Sequence, residues 1–209
     1  AWGLPYAACM VGAKLVFPGP GLDGKSLHDL FESERVTVSA GVPTVWQGLL
    51  AHVSAHGLKF STMRRTVIGG SACPPAMIRT FKENYDVDVL HAWGMTEMSP
   101  VGTTASFKRR HVEGTQEERF AVMARQGRTV FGVDMKIVDP EGRELPRDGQ
   151  ASGDLLVRGP WIISRYFKDE GGDPLVRDAA GHGWFPTGDV ANIDADGFIE
   201  VRLLRPTFR

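Results

Sequence analysis

Hydrophobic and polar positions alternate with two different periods through the first hundred residues. Lys14 to Phe17 is a short, strand-like apolar run, closed by the breakers Pro18-Gly19-Pro20-Gly21. Leu27, Leu30 and Phe31 then share one face of a helix predicted over Ser26 to Glu34. Val36 to Ala40 is short and β-branched, as a strand requires. Pro43, tolerated in a first helical turn, opens a second helix carrying Val45, Leu49, Leu50 and Val53. Arg65 to Ile68 reads as a strand running into Gly69-Gly70-Ser71. A third helix from Pro74-Pro75 carries Met77, Ile78 and Phe81, and Val87 to His91 is another strand. Strands and helices alternating at this spacing predict an α/β fold, a parallel sheet flanked by helices, over residues 1–105.

The pattern changes near residue 105. Residues 107–128 are dense in mixed charges, with Phe120 to Ala124 as the one clear apolar cluster, so 106–130 reads as a charged surface excursion. From Phe131 the chain becomes strand-rich. Val133 to Val138 alternates, Asp139-Pro140-Glu141-Gly142 is a turn, and Asp154 to Val157 is a further strand. Ile193 to Val201 is a hairpin folding at Ala195-Asp196-Gly197. Residues 131–209 therefore read as a smaller antiparallel sheet or partial barrel. No internal repeat is visible.

Composition narrows the function classes. With 42% hydrophobic and 23% charged residues, the chain can build a core. A net charge of -1 gives no reason to expect nucleic acid or an acidic membrane surface as partner. Cys9 and Cys73 lack metal-type spacing and read as two buried thiols in a reducing compartment, which places the protein in the cytoplasm. The apolar stretch from Ala1 to Ala13 is too short for a transmembrane segment and lacks a basic leader. The chain opens inside an apolar segment without Met, so its true start is expected upstream.

Three runs can carry chemistry. His91-Ala92-Trp93-Gly94-Met95-Thr96-Glu97 follows a strand, and ligands bind beyond the carboxyl ends of parallel strands. Its ring, glycine, hydroxyl and carboxylate could stack a purine, approach phosphate and hold Mg²⁺, which prefers carboxylate and phosphate oxygens. Taken alone, the run reads more often as a strand end and a capped helix. Gly69-Gly70-Ser71-Ala72 leaves room for a flat ring or an acyl group, or is simply a tight turn. In Gly183-Trp184-Phe185-Pro186-Thr187-Gly188-Asp189, a carboxylate held by a glycine turn can accept ribose hydroxyls, or can cap a surface turn.

Together with Ala1-Trp2-Gly3-Leu4-Pro5-Tyr6-Ala7, Gly41-Val42-Pro43-Thr44-Val45-Trp46 and Val157-Arg158-Gly159-Pro160-Trp161, these runs resemble the adenylate-forming (AMP-binding) superfamily, in its fatty-acyl-CoA synthetase branch. The resemblance implies activation of a carboxylic acid by ATP, with release of pyrophosphate, followed by acyl transfer from AMP to CoA. It implies Trp93 stacked on adenine, with His91 and Ala92 bordering the nucleotide. It further implies Thr96 at the α-phosphate, Glu97 as Mg²⁺ ligand, and Gly70 and Ser71 as the wall near adenine and the acyl carboxylate. Asp189 matches the ribose-binding acid, and Trp2 an aromatic at the mouth of the acyl tunnel. Thr96 and Glu97 are thus the catalytic candidates, and fatty acid, ATP and CoA the expected small-molecule partners, with a homodimer as candidate assembly.

The departures from the family pattern are expectations of the same kind. The family's phosphate loop with its Lys falls before residue 1, and Leu203-Leu204 stand where an Asp-Arg pair continues the family pattern. The C-terminal lid domain, with its adenylation Lys, is absent from this stretch. The chain is therefore expected to be an internal fragment, inactive alone. Two alternatives stay open: another adenylating ligase using an aryl, sulfur-containing or amino acid, and a non-catalytic nucleotide-binding remnant.

Overall fold

The computed structural model of the chain describes residues 3–204. They form two compact units. The first takes in the chain up to Ala92 together with Phe107–Ala124, the second Trp93–Ser106 together with the chain from Arg125 onward.

The first unit holds α1 (Leu4–Met10), α2 (Gly24–Ser33), β1 (Val38–Gly41), α3 (Pro43–Ala55), β2 (Arg65–Ile68), α4 (Pro75–Tyr85), β3 (Asp88–Gly94, whose last two residues enter the second unit), α5 (Arg109–Val112) and α6 (Gln116–Met123). The three strands pair in parallel in sequence order. Gly41 stands opposite Ile68, and Ile68 opposite His91, so β1 and β2 end level with His91 while β3 runs on to Gly94. Local chemistry sets the helix starts. Asp23 caps α2 by accepting the Ser26 N–H at 2.9 Å, and prolines open α3 and α4. Leu27, Phe31, Trp46, Leu49, Val53, Ile78 and Phe81 form the core, where Phe81 meets the Trp46 ring edge-on with centroids 6.4 Å apart.

The charged stretch folds rather than wanders. Thr115 and Glu118 make a reciprocal capping box that starts α6, and Phe120 and Met123 join the core. Two sequence expectations fail here. Lys14 to Phe17 forms no strand, because no described strand pairs with it. Cys73 is buried, but Cys9 is exposed, since α1 buries none of its residues.

The second unit is antiparallel: β4 (Val101–Thr104), β5 (Gly127–Thr129), β6 (Asp134–Val138), β7 (Gly153–Arg158), β8 (Val176–Arg177), β9 (Gly183–Ile193) and β10 (Phe198–Leu204). The strands lie in the order β4-β5-β10-β9-β7-β6, with β8 on β9. Asp194 closes the β9–β10 hairpin, accepting the Asp196 and Phe198 N–H groups, both at 2.9 Å. Met98, Met135, Ile137, Leu155, Val157, Phe185, Ile193 and Ile199 form the core. In the separate small cluster with Val138 and Leu156, the Trp184 ring carries Lys136 Nζ at 4.2 Å and Arg158 Cζ at 4.9 Å. The Gly183–Asp189 run lies inside β9 rather than in a turn, because it pairs with β7, β8 and β10. The α/β class thus holds, with a parallel sheet flanked by helices in one unit and an antiparallel sheet in the other. No helix among the described residues is long and apolar enough to cross a membrane.

Candidate functional site

In the first unit, β2 and β3 deliver their residues near the carboxyl ends of the parallel strands. Gly69 is buried, and a Cβ there would sit 3.0 Å from Ala92 O, so the backbone leaves β2 hard against β3. Gly70 follows with φ of 81°, a left-handed conformation that favours glycine, and Ser71 is exposed. His91, 1% exposed, accepts the Cys73 N–H on Nε2 at 3.3 Å, tying the end of the Gly-Gly-Ser loop to β3. Burial pushes the Cys73 thiol up to about 12, so it carries no thiolate near neutrality and offers no nucleophile.

In the second unit, residues 96 positions apart in sequence come together. The Trp93 indole Nε1 donates to Asp189 Oδ2 at 2.9 Å. Asp189 is 7% exposed, on β9. Its own N–H donates to Thr187 Oγ1 at 3.1 Å, and that hydroxyl donates to Leu155 O at 2.9 Å, so the strand around the carboxylate is braced on β7. Burial raises the Asp189 carboxyl above the usual 3.8, and the indole N–H works against that rise.

Trp93 is fixed from behind as well. A Cβ on Gly102 would stand 2.8 Å from the indole Cζ3, so only glycine leaves the ring its place. Gly94 is equally constrained, since a Cβ there would fall 1.9 Å from Pro100 O.

Thr96 and Glu97 lie on a single 3-10 turn, Thr96–Met98. Thr96 is exposed and Glu97 half-buried. Glu97 Oε1 accepts the Tyr166 hydroxyl at 3.1 Å, while Glu97 O accepts the Ile163 N–H at 2.9 Å. Ser99 Oγ donates to Trp161 O at 3.0 Å, so residues 161–166 hold the turn that carries the carboxylate. Burial, and then the Glu97 contact, raise the Tyr166 hydroxyl above its usual 10.0.

Among the described residues, no group of three or more His, Cys, Asp and Glu could hold a metal by itself. One half-buried carboxylate does fit Mg²⁺ arriving with a nucleotide, because that ion takes one or two protein carboxylates and completes its shell with phosphates and water.

The expected residues thus fall into two groups: Gly70, Ser71, His91 and Ala92 in the first unit, and Trp93, Thr96, Glu97 and Asp189 in the second. Trp2, and the chain end from residue 205, lie outside the described residues. Tyr166 and Gly102 are site neighbours that sequence reasoning missed, and Thr187 is named there only as part of its run. Tyr166 lies 69 residues from Glu97, and nothing in its own neighbourhood marks it.

The profile of the family described as "AMP-binding enzyme" matches residues 1–167. The chain belongs to the AMP-binding enzyme family. This AMP-binding enzyme chain is 51% identical over 201 residues to a medium-chain-fatty-acid–CoA ligase from Ectopseudomonas oleovorans, covering 96% of the chain and 36% of that relative. It is 50% identical over 204 residues to a 3-methylmercaptopropionyl-CoA ligase from Ruegeria lacuscaerulensis, covering 97% of the chain and 36% of the relative. A crystal structure of a long-chain-fatty-acid-CoA ligase from Archaeoglobus fulgidus superposes with a TM-score of 0.71 at 25% identity, over 86% of this chain and 36% of that one. The chain spans about a third of the length of the curated relatives it matches.

Proposed function

We propose that this chain supplies the adenosine-binding and acyl-activating residues of an AMP-forming acyl-CoA synthetase. The observation that carries the reading is the Trp93–Asp189 hydrogen bond. The glycosidic bond of a nucleotide lies in the plane of its base, so an adenine stacked on the indole carries its ribose out past the ring's edge. A carboxylate at that edge, already in contact with the ring's N–H, is suitably placed to accept ribose hydroxyls.

In the proposed reaction a carboxylate oxygen of the acid attacks the α-phosphorus of ATP. The new P–O bond forms as the bond to the bridging α–β oxygen breaks, and pyrophosphate leaves; the thiol of CoA then displaces AMP from the acyl-adenylate. Both partners of the first step are anions, so fixed donors must offset their repulsion. Mg²⁺, when bound, neutralises phosphate charge as the α-phosphorus is attacked. Glu97 would hold that ion, with Tyr166 orienting its carboxylate. The exposed Thr96 hydroxyl would meet the α-phosphate. Positioning of this kind supplies much of the rate, and no protein nucleophile is required.

A medium- or long-chain fatty acid is the acid we favour, in keeping with the 51% identical relative. The 50% identical 3-methylmercaptopropionyl-CoA ligase supports a second reading, a short sulfur-containing acid. Calorimetry of this chain with AMP tests the nucleotide site: wild type should bind, and Asp189→Asn should bind at least tenfold more weakly. Equal affinities would remove Asp189 from the site. In a protein of the relatives' full length that contains this chain, pyrophosphate release across aliphatic acids of increasing length and 3-methylmercaptopropionate should separate the two acids. A rate indifferent to chain length would count against the fatty acid.

A further inference from the structure

The indole nitrogen has work beyond stacking. Trp93 is held on two sides, by Gly102 pressed against its benzo edge and by Asp189 at its N–H. Asp189 is itself poor in other anchors: the residue is 7% exposed, and among the described residues its carboxylate accepts from the Trp93 indole. An ionised carboxylate so placed keeps one orientation only while a donor fixes one of its oxygens. With Oδ2 engaged by the ring, Oδ1 is the oxygen left to meet a ligand.

We propose that Trp93 is a positioning residue for Asp189, its indole N–H fixing the carboxylate so that the site discriminates ribose from deoxyribose. This rests on the assignment of Asp189 to the ribose made above. A phenylalanine at 93 keeps an aromatic face for the base but has no donor at its edge. Asp189 would then be free to turn about its side-chain torsions, and the hydroxyl-dependent part of the affinity would fall while the stacking part remained. A ring that served for stacking alone would lower the affinity for every adenine nucleotide by the same factor.

The test is the ratio of dissociation constants for 2′-deoxy-AMP and AMP, measured by calorimetry on wild type, Trp93→Phe, Asp189→Asn and Gly102→Ala. Wild type should favour AMP by about tenfold, in line with one hydrogen bond to a charged group. Trp93→Phe should bring the ratio down to about 2 or 3, and Asp189→Asn to about 1. Gly102→Ala keeps the indole but displaces it, and should also lower the ratio, which secures the test if the Phe variant does not fold. A ratio that stays near tenfold in both Trp93→Phe and Gly102→Ala while collapsing in Asp189→Asn overturns the role of Trp93 and leaves the ribose assignment standing. A ratio unchanged in Asp189→Asn, or no AMP binding by wild type, overturns the ribose assignment and this proposal with it.

Discussion

Replacing Gly102 by alanine should loosen the Trp93–Asp189 contact without unfolding the protein. The new Cβ would stand 2.4 Å from Met98 Cε and 2.8 Å from Trp93 Cζ3. The methionine methyl can rotate aside, but the indole is rigid and must move as a body. Restoring an ordinary 3.4 Å contact requires a shift of about 0.6 Å. A ring displaced by that much no longer presents Nε1 to Asp189 at 2.9 Å. Overpacking of this kind costs about 1–3 kcal/mol, and a weakened hydrogen bond to a charged group adds about 1 kcal/mol. The sum is smaller than the stability of an ordinary domain. Two measurements check this. Urea unfolding followed by circular dichroism should show a loss of about 2–4 kcal/mol. In the proton–nitrogen spectrum, the Trp93 indole cross-peak, assigned by its absence in Trp93→Phe, should move upfield. A variant within about 0.5 kcal/mol of wild type, with that cross-peak unmoved, would refute the view that Gly102 sets the ring.

Three further outcomes are expected. Phe81→Ala removes a wholly buried ring from the core of the first unit and its edge-on contact with Trp46, and should cost about 3–5 kcal/mol in urea unfolding. Asp178 is held down at about 2, first by the Trp184 Nε1 hydrogen bond, so its contribution is present above the unfolded value of 3.8 and is lost as pH falls toward 2. Asp178→Asn should therefore destabilise near neutrality and flatten the acid limb of the stability curve; an unchanged acid limb would deny the coupling. Asp189 has the opposite sign. Its folded value is raised, so wild type should lose stability as pH rises from 3.8 through that folded value, and Asp189→Asn should abolish the loss.

The elements were legible where local chemistry decides them. Arg65 to Ile68 is the strand its apolar run predicted, and Pro43 opens its helix because a first turn needs no N–H from it. Lys14 to Phe17 misled, because an apolar run says nothing about whether a partner strand is available. The charged stretch was read by its surface and not by its caps: Thr115-Gln116-Glu117-Glu118 carries a capping box, and Phe120 and Met123 behind it were enough to bury one face.

Of the candidate site, sequence pattern named Trp93 and Asp189 but not the bond between them. The pairing depends on β9 continuing, with a bulge, through a glycine-containing motif whose local pattern suggests a turn. Tyr166 and Gly102 were invisible for a related reason. A tyrosine in a polar loop and a glycine in a strand acquire meaning only from what the fold brings against them.

Asp189 occupies an odd-numbered position of β9, and Phe185, Thr187, Ala191 and Ile193 in the same row are all buried. The row is a core-facing one, and Asp189 is its single ionisable member. A leucine at 189 would suit the fold better than the carboxylate does, so Asp189→Leu should resist urea at least as well as wild type while weakening the AMP binding proposed above. A site whose removal strengthens its scaffold bears the mark of selection for activity at the expense of stability. For this chain the mark can be sought by ranking point variants on thermal resistance alone, with no substrate in hand.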